Sequence, residues 1–201
     1  IDKSTIERGQ IVFHKYALME YGSFFGDGAQ RGPDFTAEAL HQINVSMNEF
    51  YRRKNEDSIG RPSTVTEQKI IAEQVREELK KNLYDKEENI VVLSEGYVYA
   101  LNELEDYYIK VFTENDANNK FPLKNYITDK KEIKDLAGFF FWGAWVCVTE
   151  RPGENFSYTH NWPFDKDAGN TATSPVVVWS VFGLLVFVLA CGFVLYYIGQ
   201  Y

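Results

Sequence analysis

Cysteine and histidine are scarce in this chain. Its 201 residues include two cysteines, Cys147 and Cys191, and three histidines, His14, His41 and His160. The cysteines lie far apart among apolar residues, and no C-x-x-C occurs. That excludes a disulfide framework, a thiolate zinc site and the covalent attachment of a c-type haem. Both cysteines are expected to pack as small hydrophobic side chains. The histidines are not at i,i+4 with each other or with a third ligand, so no metal triad is visible, and each is read as structural or surface. Catalytic signatures are missing too: there is no G-x-S-x-G, Walker loop or H-E-x-x-H. "GDGAQRG" (26–32) contains a G-x-G, but no strand signal precedes it and G-x-G-x-x-G is not completed. Carboxylates are plentiful, yet no pair sits on an apolar wall that would shift one of them. Positive charge is in deficit, with a net charge of −8. That argues against nucleic acid as a partner and fits a solvated surface or docking to a basic protein.

Charge of either sign is absent from Ala168 to Tyr201. Within that tail "PVVVWSVFGLLVFVLACGFVLYYIG" is an apolar run longer than the roughly 20 residues a bilayer crossing needs. Trp179 lies near one end and Tyr196, Tyr197 and Tyr201 near the other, as interfacial anchors do. The alternative is a buried core helix, which rarely goes so long without charge. The chain begins with Ile1 and stops at Tyr201, where a span would end. More polypeptide is therefore expected after Tyr201.

The chain as a whole is 45% hydrophobic and 16% aromatic, enough for one packed domain ahead of the apolar tail. Thr5 or Ser4 is expected to cap a first helix running to about Met19, with Ile6, Gln10, Phe13 and Ala17 near one stripe. A glycine-bearing loop follows. Asp34 caps a second helix carrying Leu40, Ile43, Met47 and Phe50 at helical spacing, and "EDSIGRPS" is a polar turn. A charged helix from Thr66 to about Leu83 has Ile70, Ile71, Val75 and Leu79 as its apolar stripe. "LYDKEENIVVLS" suggests a small hairpin turning at Asp85–Asn89, with Ile90 to Leu93 as a strand. Ser94 caps a helix from Glu95 to about Glu114, with Tyr97, Leu101, Leu104 and Tyr108 on one side. Thr128 or Asp129 starts the last polar-flanked helix, and Asp129 with Glu132 loosely matches a capping box. Its interior, "LAGFFFWGAWVCV", is apolar on every face. It is either the central core helix or a helix lying against the membrane part. Arg151-Pro152-Gly153 stops it, and "ENFSYTHNWPFDKDAGNT" is an irregular aromatic collar at headgroup level.

Two blocks carry a resemblance. "ERGQIVFHKYALMEYGSFFGDGAQRGPDFTAEALH" and "YITDKKEIKDLAGFFFWGAWVCVTERPGENFSYTHNWPFDKDAGNT", with "REELKKNLYD" between them, resemble the hydrophilic domain of quinol-dependent nitric oxide reductases, and the resemblance covers essentially the whole chain. The resemblance implies a mainly α, cytochrome c-like helical domain without haem, over 1–167. A linker (168–174) and one transmembrane helix (175–201) follow. In two-subunit relatives a C-x-x-C-H motif holds haem; aligned here, its cysteines fall at Leu18 and Tyr21 and its histidine at Gly22. Phe13, Leu18, Met19, Tyr21, Phe24 and Phe25 are then the residues expected to fill the space, because an unfilled cavity is costly.

The same resemblance implies a calcium site. The relatives' glycine carbonyl and tyrosine correspond to Gly28 and Gln30, and glutamine departs from tyrosine while keeping a carbonyl oxygen that suits calcium. It further implies no covalently bound cofactor in this segment, and a full-length enzyme with haem b, haem b3 and a non-haem iron that reduces nitric oxide with electrons from quinol. The expected partners are membrane lipid, quinol and the catalytic membrane bundle of the same chain. The expected location is the extracytoplasmic side of the cell membrane, in keeping with Asp165 and Asp167 flanking the span with only Lys166 between them, which leaves no basic excess there. Two rival expectations are a membrane-anchored scaffold with no enzyme attached, and an electron carrier with non-covalent haem.

Overall fold

Short polar side chains start most of the helices in this computed structural model, which describes residues 1–26, 32–114, 121 and 123–200. Among them α1 (Lys3–Lys15), α2 (Phe35–Ile59), α3 (Val65–Lys80), α4 (Glu95–Thr113), α5 (Lys130–Val148) and α6 (Ser174–Ile198) run in chain order. Asp34, Ser94 and Asp129 cap α2, α4 and α5, each accepting a backbone N–H from the first turn, as the sequence predicts. Thr64 caps α3 and, with Glu67, forms a full reciprocal capping box. The cap of α1 is Asp2 rather than Ser4 or Thr5: its carboxylate accepts from Thr5 N and from both hydroxyls. That helix also stops earlier than expected, because Ala17 adopts a left-handed backbone (φ 48°) and a 3₁₀ turn, Leu18–Glu20, follows. Within the expected polar turn, α2 continues to Ile59 and ends on Gly60 at φ +68°.

The first compact unit spans Ile1–Thr171 and the second Ala172–Tyr201. In the first, α5 is the central helix: it packs against α1, α2 and α4, and α2 also packs against α3 and α4. Of the two alternatives for "LAGFFFWGAWVCV", the central core helix is therefore the one observed, since twelve residues of α5 are buried within this unit. Close approach of α1 and α5 depends on Gly9, where a Cβ would lie 2.2 Å from the Asp135 carbonyl oxygen. The hairpin is present but short, Tyr84–Asp85 pairing antiparallel with Ile90–Val91, and Asp2 bridges to Ile90.

Three side chains depart from the periodicity. Ile70 is 63% exposed, so the buried stripe of α3 is Ile71, Val75 and Leu79. Gln10 is exposed, leaving Gly9, Val12 and Phe13 as the buried face of α1. Glu132 does not complete a capping box. It leaves α5 to bind Lys15 Nζ (2.5 Å) and Tyr16 Oη (2.7 Å) on the neighbouring chain segment.

The collar is irregular but held by hydrogen bonds within it. Asn161 Oδ1 accepts from Ser157 N, its Nδ2 donates to Thr171 O, and Asp165 bridges to Asn170. The second unit is one helix, α6, with no buried residue and no charge, long and apolar enough to cross a membrane.

Candidate functional site

The site to test is the start of the glycine-bearing loop, because there the resemblance places the residues that would attach haem. Leu18 begins the 3₁₀ turn and is fully buried. Tyr21 closes that turn, its N–H donating to Leu18 O, and its ring lies edge-on to Phe121 (5.8 Å) and Tyr126 (5.4 Å). Gly22 is pressed against Phe35. A Cβ there would lie 2.5 Å from Phe35 Cε2 and 2.6 Å from the Pro33 carbonyl oxygen. Any larger side chain, histidine included, is excluded while Phe35 holds that place.

The centre behind these positions is solid with rings. Phe24 stacks on Phe139 (4.6 Å, 1°) and Phe35 on Phe140 (4.8 Å, 4°). Phe13 stands edge-on to Phe35 and Phe140 at 5.9 and 6.1 Å, and Tyr108 reaches Phe140 at 4.9 Å. These are the offset and edge-to-face arrangements aromatic pairs favour. The buried Tyr108 hydroxyl is satisfied, since it donates to Phe35 O. Burial raises its pKa, so it stays neutral.

The residues expected to fill this space are partly right. Phe13 and Leu18 are buried and Phe24 and Tyr21 join the ring clusters, but Met19 is 41% exposed and fills nothing. Phe25 sits at the edge with a positive φ (58°), its carbonyl accepting from Trp162 Nε1. The main filling comes instead from Phe35, Tyr108, Phe139 and Phe140, on α2, α4 and α5.

The ends of the loop are pinned together. Asp34 Oδ2 accepts from Ser23 Oγ (2.7 Å) and Gly26 N, while Ser23 N donates to Pro33 O and Phe35 N to Ser23 O. Gly28 and Gln30, the pair expected to bind calcium, lie outside the described residues.

Other candidate ligands stay apart. His14 is on the surface of α1, His41 approaches Asp165 (3.5 Å), and His160 stacks on Phe156 (4.4 Å). No group of three or more His, Cys, Asp or Glu side chains suited to a metal ion exists among the described residues. Cys147 is buried on α5 and burial pushes its thiol up to about 12, so it is a packing residue. A covalently attached haem, which the cytochrome type implies, does not fit the residues present. Its three attachment positions hold Leu18, Tyr21 and Gly22, and Phe35 occupies the space the histidine would need.

These features define a class: a helical domain of cytochrome type whose centre is occupied by aromatic side chains, followed in the chain by a helix able to cross a membrane. The family model for the NorB cytochrome c-like domain of nitric oxide reductase matches residues 1–164, and the chain belongs to that family. A comparison with curated proteins finds no match.

Proposed function

We propose that this chain is the haem-less extracytoplasmic cap, and the membrane helix that follows it, of a quinol-dependent nitric oxide reductase. The observation that carries the reading is Phe35 against Gly22, with the stacked rings behind it. A domain of this family that cannot hold haem cannot relay electrons from a soluble cytochrome, so the donor must reach the catalytic bundle by another route. A membrane quinol supplies that route. In the full-length enzyme, haem b, haem b3 and a non-haem iron in the bundle would carry the reduction of 2 NO with two electrons and two protons to N₂O and H₂O. The role of this segment is then to cover the bundle, with the collar from Asn155 to Thr173 at the lipid headgroups and calcium held through the carbonyl oxygens of Gly28 and Gln30.

The test is nitric oxide consumption by the purified full-length enzyme with two donors. A reduced quinol analogue should sustain turnover and reduced cytochrome c should not. Turnover with cytochrome c at a comparable rate would defeat the reading. Chelation with EGTA should lower the melting temperature if calcium is bound, and leave it unchanged otherwise.

A further inference from the structure

Two large aromatic side chains stand out of the collar. Trp162 is 43% exposed and Phe164 is 48% exposed, and their rings meet edge to face at 4.8 Å. Single apolar side chains on a surface are ordinary, but a touching aromatic pair makes a patch, and patches mark contacts. The one polar atom of the indole, Nε1, already donates to Phe25 O (3.1 Å), so the two rings offer solvent hydrocarbon. No Asp, Glu, Lys or Arg occurs from Asn155 to Phe164.

The pair is held there by a strained and locked backbone. His160 (φ 53°) and Asn161 (φ 62°), immediately before Trp162, both take the left-handed conformation that residues other than glycine avoid. Hydrogen bonds fix the distortion. Asn161 N donates to Ser157 Oγ (2.7 Å), Trp162 N donates to Thr159 O, and Thr159 Oγ1 donates to the Trp162 carbonyl. Beyond the pair, Asp165 and Asn170 exchange backbone hydrogen bonds and close a turn, which brings the chain back beside Phe164 at Thr171. The apolar helix α6 begins three residues on, at Ser174. The tether is therefore short, at most about 10 Å of extended chain.

We propose that Trp162 and Phe164 form a rigid aromatic wedge that enters the headgroup layer of the membrane receiving α6. A membrane interface suits such a pair: aromatic rings concentrate there, and covering their carbon removes it from water while desolvating no charge. The short tether keeps the wedge within reach of that layer. The inference rests on the reading of the collar as lying at the headgroups, and adds which side chains enter the lipid and what fixes them. It is independent of how the full-length enzyme obtains its electrons.

The test places the photoreactive residue p-benzoylphenylalanine at Phe164 of the full-length protein in its native membrane. A second variant carries it at Ile70, which is 63% exposed on α3 and serves as the control. After irradiation and digestion the peptides are weighed. The peptide carrying position 164 should gain the mass of a phospholipid, and the peptide carrying position 70 should not. A crosslink from position 164 to another peptide of the protein, in place of lipid, would overturn the proposal, because the pair would then pack on protein. A lipid adduct at position 70 as strong as that at 164 would overturn it too. Carbonate extraction of membranes holding the 201-residue chain reports the span of α6 separately. No adduct at 164 with the chain retained in the membrane would overturn the wedge and leave the span standing. No adduct with the chain extracted would overturn both.

Discussion

At the scale of single residues the account turns on contacts that leave no room. Gly22 faces Phe35 Cε2 and the Pro33 carbonyl at distances no Cβ tolerates. Gly22→Ala should therefore destabilise the chain by about 2–3 kcal/mol, the cost of overpacking a tight core, read from its chemical denaturation midpoint. A neutral substitution would mean that Phe35 moves freely and that the space is not closed. Cys147 gives a second check. With Cys191→Ser to leave one thiol, iodoacetamide at pH 8 should not label Cys147 in the native chain, since its thiol is held up to about 12 by burial. Labelling should appear only on unfolding, and rapid labelling of the folded chain would contradict the buried placement.

At the scale of elements the helix starts are electrostatic devices, and they respond to acid. Glu67 is held down at about 2, below its ordinary 4.5, first by Arg61 and then by the Thr64 N–H and hydroxyl. A carboxylate with a depressed folded pKa stabilises fully above its unfolded value and loses that contribution as pH falls through the folded one. The melting temperature should therefore fall from about pH 4.5 toward pH 2, and Glu67→Gln should flatten that fall. Identical curves for the two proteins would show that the box contributes nothing. Thr64→Ala, which removes the other half, should cost about 1 kcal/mol.

These elements are also the legible part of the chain. Apolar spacing and short polar caps place α2 to α5 to within a few residues, and Asp34, Ser94 and Asp129 can be read as caps from the sequence alone. Spacing fails where a side chain answers to a distant partner. Glu132 fits a capping box but serves as a strap to Lys15 and Tyr16. Met19 is apolar and well placed in the sequence, yet the left-handed Ala17 turns it outward.

At the scale of the whole molecule, the missing attachment residues are plain from the sequence, because two cysteines and a histidine are a local pattern. What fills the space is not. Phe35, Tyr108, Phe139 and Phe140 belong to three different helices, and no periodicity within one helix says which rings of another it will meet. The run "GFFFWG" announces a buried helix without revealing that two of its rings stack on Phe24 and Phe35 from other parts of the chain. Nor does the sequence expose the unpaired indole of Trp145, which becomes visible only when every neighbouring acceptor has been placed.

The most direct measurement of the central claim is the absorption spectrum of the 201-residue chain produced in cells that mature c-type cytochromes and are replete with haem. With aromatic rings in the centre, the purified chain should show no Soret band and no covalent haem by peroxidase staining after denaturing electrophoresis. A Soret band corresponding to one haem per chain, covalent or not, would contradict the account.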